Sequence, residues 1–328
     1  MSIDRRLIAI GALIVALALP FVIEDGYSRH ILIIVFIYAI VAASWDLSLG
    51  YAGIFNFAHM AFFGVGVYTT AMTAKLLGVD PWLAMVLGGL AAAAAAALVA
   101  LPVVRLQGIY VVLVTFAFSQ LILQLVISQS DLTGGTQGLV RVPTLELQGY
   151  NFLRDYKLGY YYVALGLLVI TTICLRALVR SDFGISIQAL RDNEDYGVAR
   201  GIPIAWQRLK VLVVSAFFAG IAGGFYAVYL RVASPEVFSF ATSSLVLSMV
   251  LVGGVSTIYG PILAAVVLTI ASEALANVDG LAEGRFMLVA VAMIVGLRFL
   301  PGGLISAFMR TGHGRATPAR AMPDKKEL

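Results

Sequence analysis

A series of long apolar runs, separated by short polar stretches, constrains this chain more than any other feature. Each run is near the length of about 20 residues that crosses the hydrocarbon core of a bilayer. We place ten of them, at residues 7–23, 31–49, 54–77, 82–103, 108–129, 160–179, 209–229, 241–257, 259–277 and 285–304. Charged residues make up 12% of the chain, against about 25% in a soluble domain. The sequence therefore predicts a protein whose main solvent is lipid.

Within a bilayer every backbone amide needs an internal partner, so only helices and closed barrels can cross it. Strands of a barrel are about 10 residues long and alternate in polarity, unlike the runs found here. We therefore predict an all-α polytopic membrane protein, a bundle of about 8–10 transmembrane or re-entrant helices. Arg5 and Arg6 precede the first run, as they would in a signal peptide, but the spans that follow favour a retained first helix.

The positive charges predict the orientation of the chain. Of its 22 Lys and Arg residues, 15 lie on the same side of the predicted bundle as the N-terminus and 7 on the other. Because cytoplasmic loops carry the excess, both termini are predicted to be cytoplasmic. Loop 180–208 is then cytoplasmic and loop 130–159 external. We expect one transmembrane domain, 1–304, followed by a basic, disordered cytoplasmic tail, 305–328. The net charge of +4 comes from these topology-determining residues and does not indicate nucleic-acid binding.

Motifs for nucleotide, metal and hydrolytic chemistry are missing from the sequence. No lysine completes a G-x-x-x-x-G-K-[ST] pattern, so ATP binding through a P-loop is not expected. The three histidines and the single cysteine, Cys174, lack the spacing of metal ligands. No G-x-S-x-G elbow or H-E-x-x-H motif occurs. We therefore predict that the chain is not an enzyme and holds no metal or cofactor of its own.

Several polar residues and one glycine at membrane depth are candidates for lining a translocation path. Glycine-broken segments at corresponding places in two halves of a chain mark the midplane sites of transporters. The early break is at 50–53 and the late one at 253–261. The same residue types also serve interhelical hydrogen bonds and close helix packing, so both interpretations stay open. The candidates are Asp46, Asn56, His59, Ser244, Ser248 and Gly253.

A polar, charged segment follows the sixth apolar run. From Gly184 to Arg200 it predicts one or two short helices, with Asp192 and Asn193 supplying a cap and Gly201 ending the segment. A solvated connecting loop accounts for the charge. It accounts less well for four apolar residues in the same segment, namely Ile185, Ile187, Leu190 and Val198.

Six motifs follow one another in a specific order. They are GIFNFAH at 53–59, RLQGIY at 105–110, TGGTQGL at 133–139, ALRDNE at 189–194, SAFFAGIAGG at 215–224, and the glycines and YGP of 253–261. In this order the chain resembles the membrane subunits of ABC importers for branched-chain amino acids, and among them the LivM-type branch. The fourth motif resembles the EAA coupling loop of that family, a helix that touches the ATPase.

The resemblance implies a permease of the bacterial inner membrane that works by alternating access. Its partners would be a sister permease subunit, two cytoplasmic ATPases that bind ATP and magnesium, and an external, periplasmic substrate-binding protein. Coupling to the ATPase would fall to Gly184, Arg191, Asp192, Asn193, Glu194 and Gly201. The external-loop signature would comprise Thr133, Gly134, Gly135 and Gly138.

Other functions stay open on sequence alone. The same machine could carry urea, short amides or another amino acid, because the external binding protein selects much of the cargo. A different class is an ion-coupled secondary transporter, in which Asp46, Glu273 and Arg298 would form a relay. A structural or assembly protein of the membrane is a third alternative.

Overall fold

The computed structural model describes residues 3–23, 25–147, 150–152, 154–276 and 303–304. This part of the chain is almost entirely helical, which confirms the predicted fold class. The helices are α1 Ile3–Val22, α2 Gly26–Asp46, α3 His59–Leu76, α4 Pro81–Val103, α5 Ile109–Ser128, α6 Ser130–Thr133, α7 Arg154–Arg180, α8 Asp182–Asp192, α9 Glu194–Ala199, α10 Ile204–Leu230, α11 Phe240–Gly253 and α12 Tyr259–Ala276. Four two-residue strands, β1 Leu139–Val140, β2 Glu146–Leu147, β3 Tyr150–Asn151 and β4 Val232–Ala233, pair antiparallel as β1–β4 and β2–β3.

Nine of the ten predicted runs correspond to a helix. In the described ranges, five helices are long and apolar enough to cross a membrane: Gly26–Tyr51, Pro81–Val103, Ile109–Ser128, Lys157–Arg180 and Ile204–Leu230. The tenth run, 285–304, lies outside the described residues except for its last two, and so does the predicted tail, 305–328.

The helices pack in two groups. In the first, which we call the glycine-packed group, α3, α4 and α10 contact one another. A Cβ at Gly66 of α3 would lie 2.2 Å from the carbonyl oxygen of Gly220 in α10, so only glycine permits this approach. In the second, the α2 group, α2 contacts α7, α11 and α12. Contacts between α2 and α10 join the two groups.

The predicted helix at 54–77 is wrong in its first turn. After α2 the chain forms a π-helical turn, Leu47–Tyr51, and stays non-helical until His59 starts α3. Gly53 lies at a φ of 69°, a left-handed conformation that suits glycine. The glycine break predicted from sequence is thus a true interruption between two helices.

The predicted helix at 241–257 is also too long. α11 ends at Gly253 and has 14 residues, about 21 Å, which is less than the ~30 Å hydrocarbon core. Before it, a 3-10 turn, Pro235–Phe238, brings the ring of Phe238 against α3 beside Gly64. α11 therefore starts beside α3 and spans only part of the membrane thickness.

The two long loops lie at opposite ends of the bundle. The α8–α9 segment contacts the π-helical turn after α2, the α4–α5 loop and the α11–α12 turn, and we call this the inner end. The loop after α5 pairs its strand β1 with β4, just beyond the far end of α10, and we call this the outer end. That the inner end faces the cytoplasm stays a prediction from the charge bias.

Candidate functional site

The segment between α7 and α10 folds as two short helices, as predicted. α8 turns Ile187 and Leu190 inward, leaving 2% and 9% of these residues exposed. Gly184 lies so close to the end of α7 that a Cβ would fall 2.1 Å from the carbonyl oxygen of Val179. Two of the four apolar residues noted in the sequence thus anchor α8 to the bundle.

The junction of α8 and α9 has the predicted cap. Asn193 precedes α9, and its Oδ1 accepts a hydrogen bond of 2.9 Å from the backbone amide of Tyr196. Gly197 packs against Leu190, where a Cβ would lie 2.8 Å from Leu190 Cδ2. After α9, Gly201 adopts a φ of 84°, so the chain turns towards α10 through a conformation that glycine tolerates.

The opposite side of this segment exposes apolar side chains. Ile185 on α8 and Tyr196 and Val198 on α9 are 62%, 57% and 49% exposed, and we call the exposed surface of these two short helices the docking face. The Arg200 guanidinium lies 5.1 Å from the centre of the Tyr196 ring, a cation–π contact. Exposed apolar side chains on a segment that is predicted to face the cytoplasm favour a protein contact surface there.

Arg191 leaves the end of α8 and reaches two distant parts of the chain. Its guanidinium donates hydrogen bonds of 2.8 Å to the carbonyl oxygen of Gly50 and 2.7 Å to Ser256 Oγ. The same group forms an ion pair of 2.7 Å with its neighbour Asp192. A Cβ at Gly53 would lie 2.8 Å from Arg191 Cγ, so this glycine makes room for the arginine stem.

Asp46 stabilises the same region from inside the bundle. The residue is fully buried, and its two carboxylate oxygens accept the backbone amides of Ser256 at 2.8 Å and Thr257 at 3.0 Å. Gly50 passes so close that a Cβ would lie 2.1 Å from Asp46 Oδ1. These contacts give Asp46 a role in holding the α11–α12 turn, and its place on a translocation path stays a prediction.

Glu194 makes the corresponding contacts on the other side of the junction. One carboxylate oxygen accepts from Gln107 Nε2 at 3.0 Å, and the other pairs with Arg208 at 2.8 Å. Arg208 also donates to the carbonyl oxygens of Val104 and Leu106, both at 3.3 Å. Sequence reasoning selected Glu194 but missed Gln107 and Arg208, although Gln107 lies in one of the six motifs.

The non-helical segment before α3 is fixed by α5. Asn56 is fully buried, and its Oδ1 accepts the backbone amide of Ala58 at 2.8 Å. The amide of Phe57 donates to Thr115 Oγ1, and its carbonyl oxygen accepts from Ser119 Oγ, both at 3.1 Å. Thr115 and Ser119 were not among the predicted site residues, though their spacing of four places them on one helix face.

His59 begins α3 in a buried aromatic setting. Its ring stacks on Trp45 with 5.2 Å between ring centres, and its Nε2 lies 3.0 Å from Ser44 Oγ. Among the described residues, Trp45 Nε1 and Asn56 Nδ2 are buried without a hydrogen-bond partner. Buried donors of this kind cost free energy, and the place of Asn56 and His59 on a translocation path stays a prediction.

The candidates in α11 have packing contacts. Ser248 Oγ donates to the carbonyl oxygen of Ser244 at 2.7 Å, so the two residues share a face and that hydroxyl bonds to its own helix. Gly253 meets Gly260 so closely that a Cβ would lie 2.3 Å from the Gly260 carbonyl oxygen. Their place on a translocation path also stays a prediction.

The external-loop signature forms a compact glycine turn at the outer end. Thr133 Oγ1 accepts the amide of Gly135 at 3.1 Å. Gly134, Gly135 and Gly138 have φ values of 77°, 57° and 72°. A Cβ at Gly138 would lie 2.1 Å from the carbonyl oxygen of Ala233 in β4, so the signature joins the loop to the end of α10.

Two of the three charged residues proposed for an ion relay, Asp46 and Glu273, are not brought together. The hydroxyl of Tyr27, at the start of α2, donates to Glu273 at 2.9 Å. Asp46 lies at the other end of the same helix, which at 1.5 Å per residue is about 28 Å away. Arg298 lies outside the described residues. Within the described ranges, no group of three His, Cys, Asp or Glu side chains could hold a metal ion.

The chain is similar to known proteins over most of its length. The model of the family described as the branched-chain amino acid transport system permease component matches residues 28–297. The high-affinity branched-chain amino acid transport system permease proteins LivM of Salmonella typhimurium and Escherichia coli are each 29% identical over 325 residues, covering 93% of this chain and 76% of theirs. A probable LivM of Methanocaldococcus jannaschii is 24% identical over 231 residues, covering 59% of this chain and 65% of its own. No solved structure matches the chain.

Proposed function

This chain belongs to the family of branched-chain amino acid transport permease components, and from that membership we propose that it is the membrane-spanning subunit of an ABC importer for branched-chain and other hydrophobic amino acids. The observation that carries the proposal is the family match over residues 28–297. Its helical fold and its relatives named LivM support this role and a location in the inner membrane.

The docking face supports a contact with an ATPase. It combines exposed apolar side chains with a rigid setting, because α8 and α9 are fixed by Ile187, Leu190 and the capped junction at Asn193. A chain without a P-loop needs another source of energy for uphill transport. In this proposal two ATPase subunits bind and hydrolyse ATP with magnesium, while a sister permease and an external binding protein complete the importer.

The interrupted helices support alternating access around a central path. The segment before α3 is non-helical, and α11 crosses only part of the membrane thickness. The buried, unpaired donors of Trp45 and Asn56 lie beside this break, and in this proposal they help to hold the zwitterionic amino acid. Movement of α8 and α9 by the ATPases would open this path to one side at a time.

Reconstituted transport tests the proposed function. The chain would be purified with its sister permease and ATPases, placed in vesicles, and supplied with the binding protein outside and ATP inside. We expect uptake of labelled leucine that requires ATP and survives a protonophore. Uptake that continues without ATP and collapses with the proton gradient would instead show a secondary transporter. ATP-driven uptake of urea or short amides, with no uptake of leucine, would overturn the proposed cargo.

A charge on the docking face should release the ATPases. Ile185→Asp places a carboxylate where the partner would otherwise bury an apolar side chain, and its desolvation opposes binding. We expect co-purification of the ATPases to fall about tenfold, which corresponds to ~1.4 kcal/mol. Leu77→Asp serves as the matched control, because Leu77 is 73% exposed and follows α3 at the outer end. Equal co-purification from the two variants would contradict the role of the docking face.

A further inference from the structure

The residues that fix the α8–α9 junction bind two different parts of the bundle. Arg191 contacts the turn after α2 and the α11–α12 turn, both belonging to the α2 group. Glu194 contacts the α4–α5 loop and α10, which belong to the glycine-packed group. Resting on the proposed function, we infer that these two contacts are separate joints, each of which transmits the movement of α8 and α9 to one of the two helix groups.

The Arg191 joint includes a backbone carbonyl group as well as side chains. Gly50 offers a carbonyl oxygen that accepts from Arg191 and also, at 2.8 Å, from Ser256 Oγ. Ser256 is held in turn through its amide by Asp46. Three segments, the end of α8, the turn after α2 and the α11–α12 turn, therefore meet in one hydrogen-bonded unit. A displacement of Arg191 moves the ends of α2, α11 and α12 together.

The Glu194 joint is an ion pair supported by an amide. Its side chain is 35% exposed and that of Arg208 is 19% exposed, so water only partly screens the pair. Gln107 adds a hydrogen bond from the loop between α4 and α5, and Arg208 binds two carbonyl oxygens of the same loop. Because Glu194 is the first residue of α9, a movement of α9 would also move α4, α5 and α10.

The apolar contact between α8 and α10 leaves a small gap next to the Glu194 joint. A small cavity separates these helices, and it is lined by Ala52, Ile187, Leu190, Gln207, Arg208 and Val211. Gln207 Oε1 is buried and has no hydrogen-bond partner among the described residues. Because a gap removes packing contacts on both of its walls, the contact of Glu194 with Arg208 adds a polar link to α10 beside an apolar contact that is not fully packed.

Distance measurements between labels test the two joints separately. In a Cys174→Ala background, one label would replace Asp182 at the start of α8. The second would replace either Val255, in the α11–α12 turn, or Leu101, near the inner end of α4. In the complete importer, both distances should stay the same with and without ATP, because each joint keeps its helix group in step with α8.

We expect each substitution to loosen only the helix group that the substituted residue contacts. Arg191→Gln should make the 182–255 distance change on ATP binding while the 182–101 distance stays fixed, and Glu194→Gln should do the reverse. Uptake per ATP hydrolysed should fall about fivefold in both variants, the size of a modest coupling free energy between two sites. Asp195→Asn is the matched control, since this exposed carboxylate adjoins Glu194 on α9, and it should change neither distance.

Two outcomes would overturn the joints. In the first, Arg191→Gln or Glu194→Gln changes both label distances, or changes neither. In the second, both variants keep the wild-type uptake per ATP hydrolysed. Should Arg191→Gln fail to assemble, Ser256→Ala removes one partner of Arg191 without removing its charge and should loosen the 182–255 distance alone. Absence of ATP-driven uptake by the wild-type importer would instead count against the proposed function, so the two failures are distinguishable.

Discussion

Replacing Gly223 by leucine should remove most of the folded protein from the membrane. A Cβ at this position of α10 would lie 2.1 Å from the carbonyl oxygen of Phe63 and 3.0 Å from the amide of Val67, both on α3. The obstacle is helix backbone, which cannot rotate away as a side chain can. Overpacking a core typically costs about 1–3 kcal/mol, and a clash with backbone in the glycine-packed group should exceed that range.

The matched control is Gly166→Leu in α7. The same side chain is added there in the middle of an apolar helix, but no atom lies within 4 Å of the added Cβ. We expect near wild-type yield from this variant and at least about tenfold less monodisperse protein from Gly223→Leu, measured by size-exclusion chromatography after detergent extraction. Equal yields would show that α3 and α10 can separate freely, contrary to the packing described.

Asn56→Leu and His59→Leu should each reduce leucine uptake at least about tenfold. Asn56 holds the amide of Ala58 inside the broken segment, and an amide left unpaired in a buried position costs about 1–3 kcal/mol. His59 aligns the start of α3 by stacking on Trp45 and bonding Ser44. Ser215→Ala is the control, because this buried hydroxyl of α10 bonds the carbonyl oxygen of Leu212 in its own helix.

A further variant separates a role in the path from a role in holding the segment. Asn56→Ser keeps an oxygen that can accept the Ala58 amide, as serine does at helix caps, but removes the Nδ2 donor. If Asn56 lines the path, this variant should keep its thermal stability and lose uptake. If uptake stays normal in Asn56→Ser, Asn56 does not line the path; if it stays normal in both leucine variants, neither Asn56 nor His59 does.

The sequence predicted the helices well where the signal was local. Apolar runs of membrane length, the glycines at 50 and 53, and the cap at Asn193 each depend on neighbours within a few residues. Their consequences were therefore visible without knowledge of the fold. The same reasoning failed at 54–58 and after Gly253, because a broken segment in lipid is as apolar as a helical one, and only its partners on other helices show which it is.

The sequence identified residues of the candidate site but not the contacts that they make. Arg191, Glu194 and Asp46 were selected for coupling or for the path, yet their partners were missed. Arg191 and Gly50 are 141 positions apart, and Asp46 and Thr257 are 211 apart. No local pattern links such pairs.

What the sequence by itself determined is the class of protein, the rough limits of the helices at nine of its ten apolar runs, and the position of the α8–α9 segment between two of them. These follow from the free energy of placing each stretch of chain in lipid or in water, which depends on that stretch alone. Only the tertiary structure decided which helices share a group, where glycine lets backbones touch, and that Arg191 and Glu194 bind opposite groups. Those features depend on how each helix is rotated against its neighbours, and rotation is set by the packing of the whole bundle.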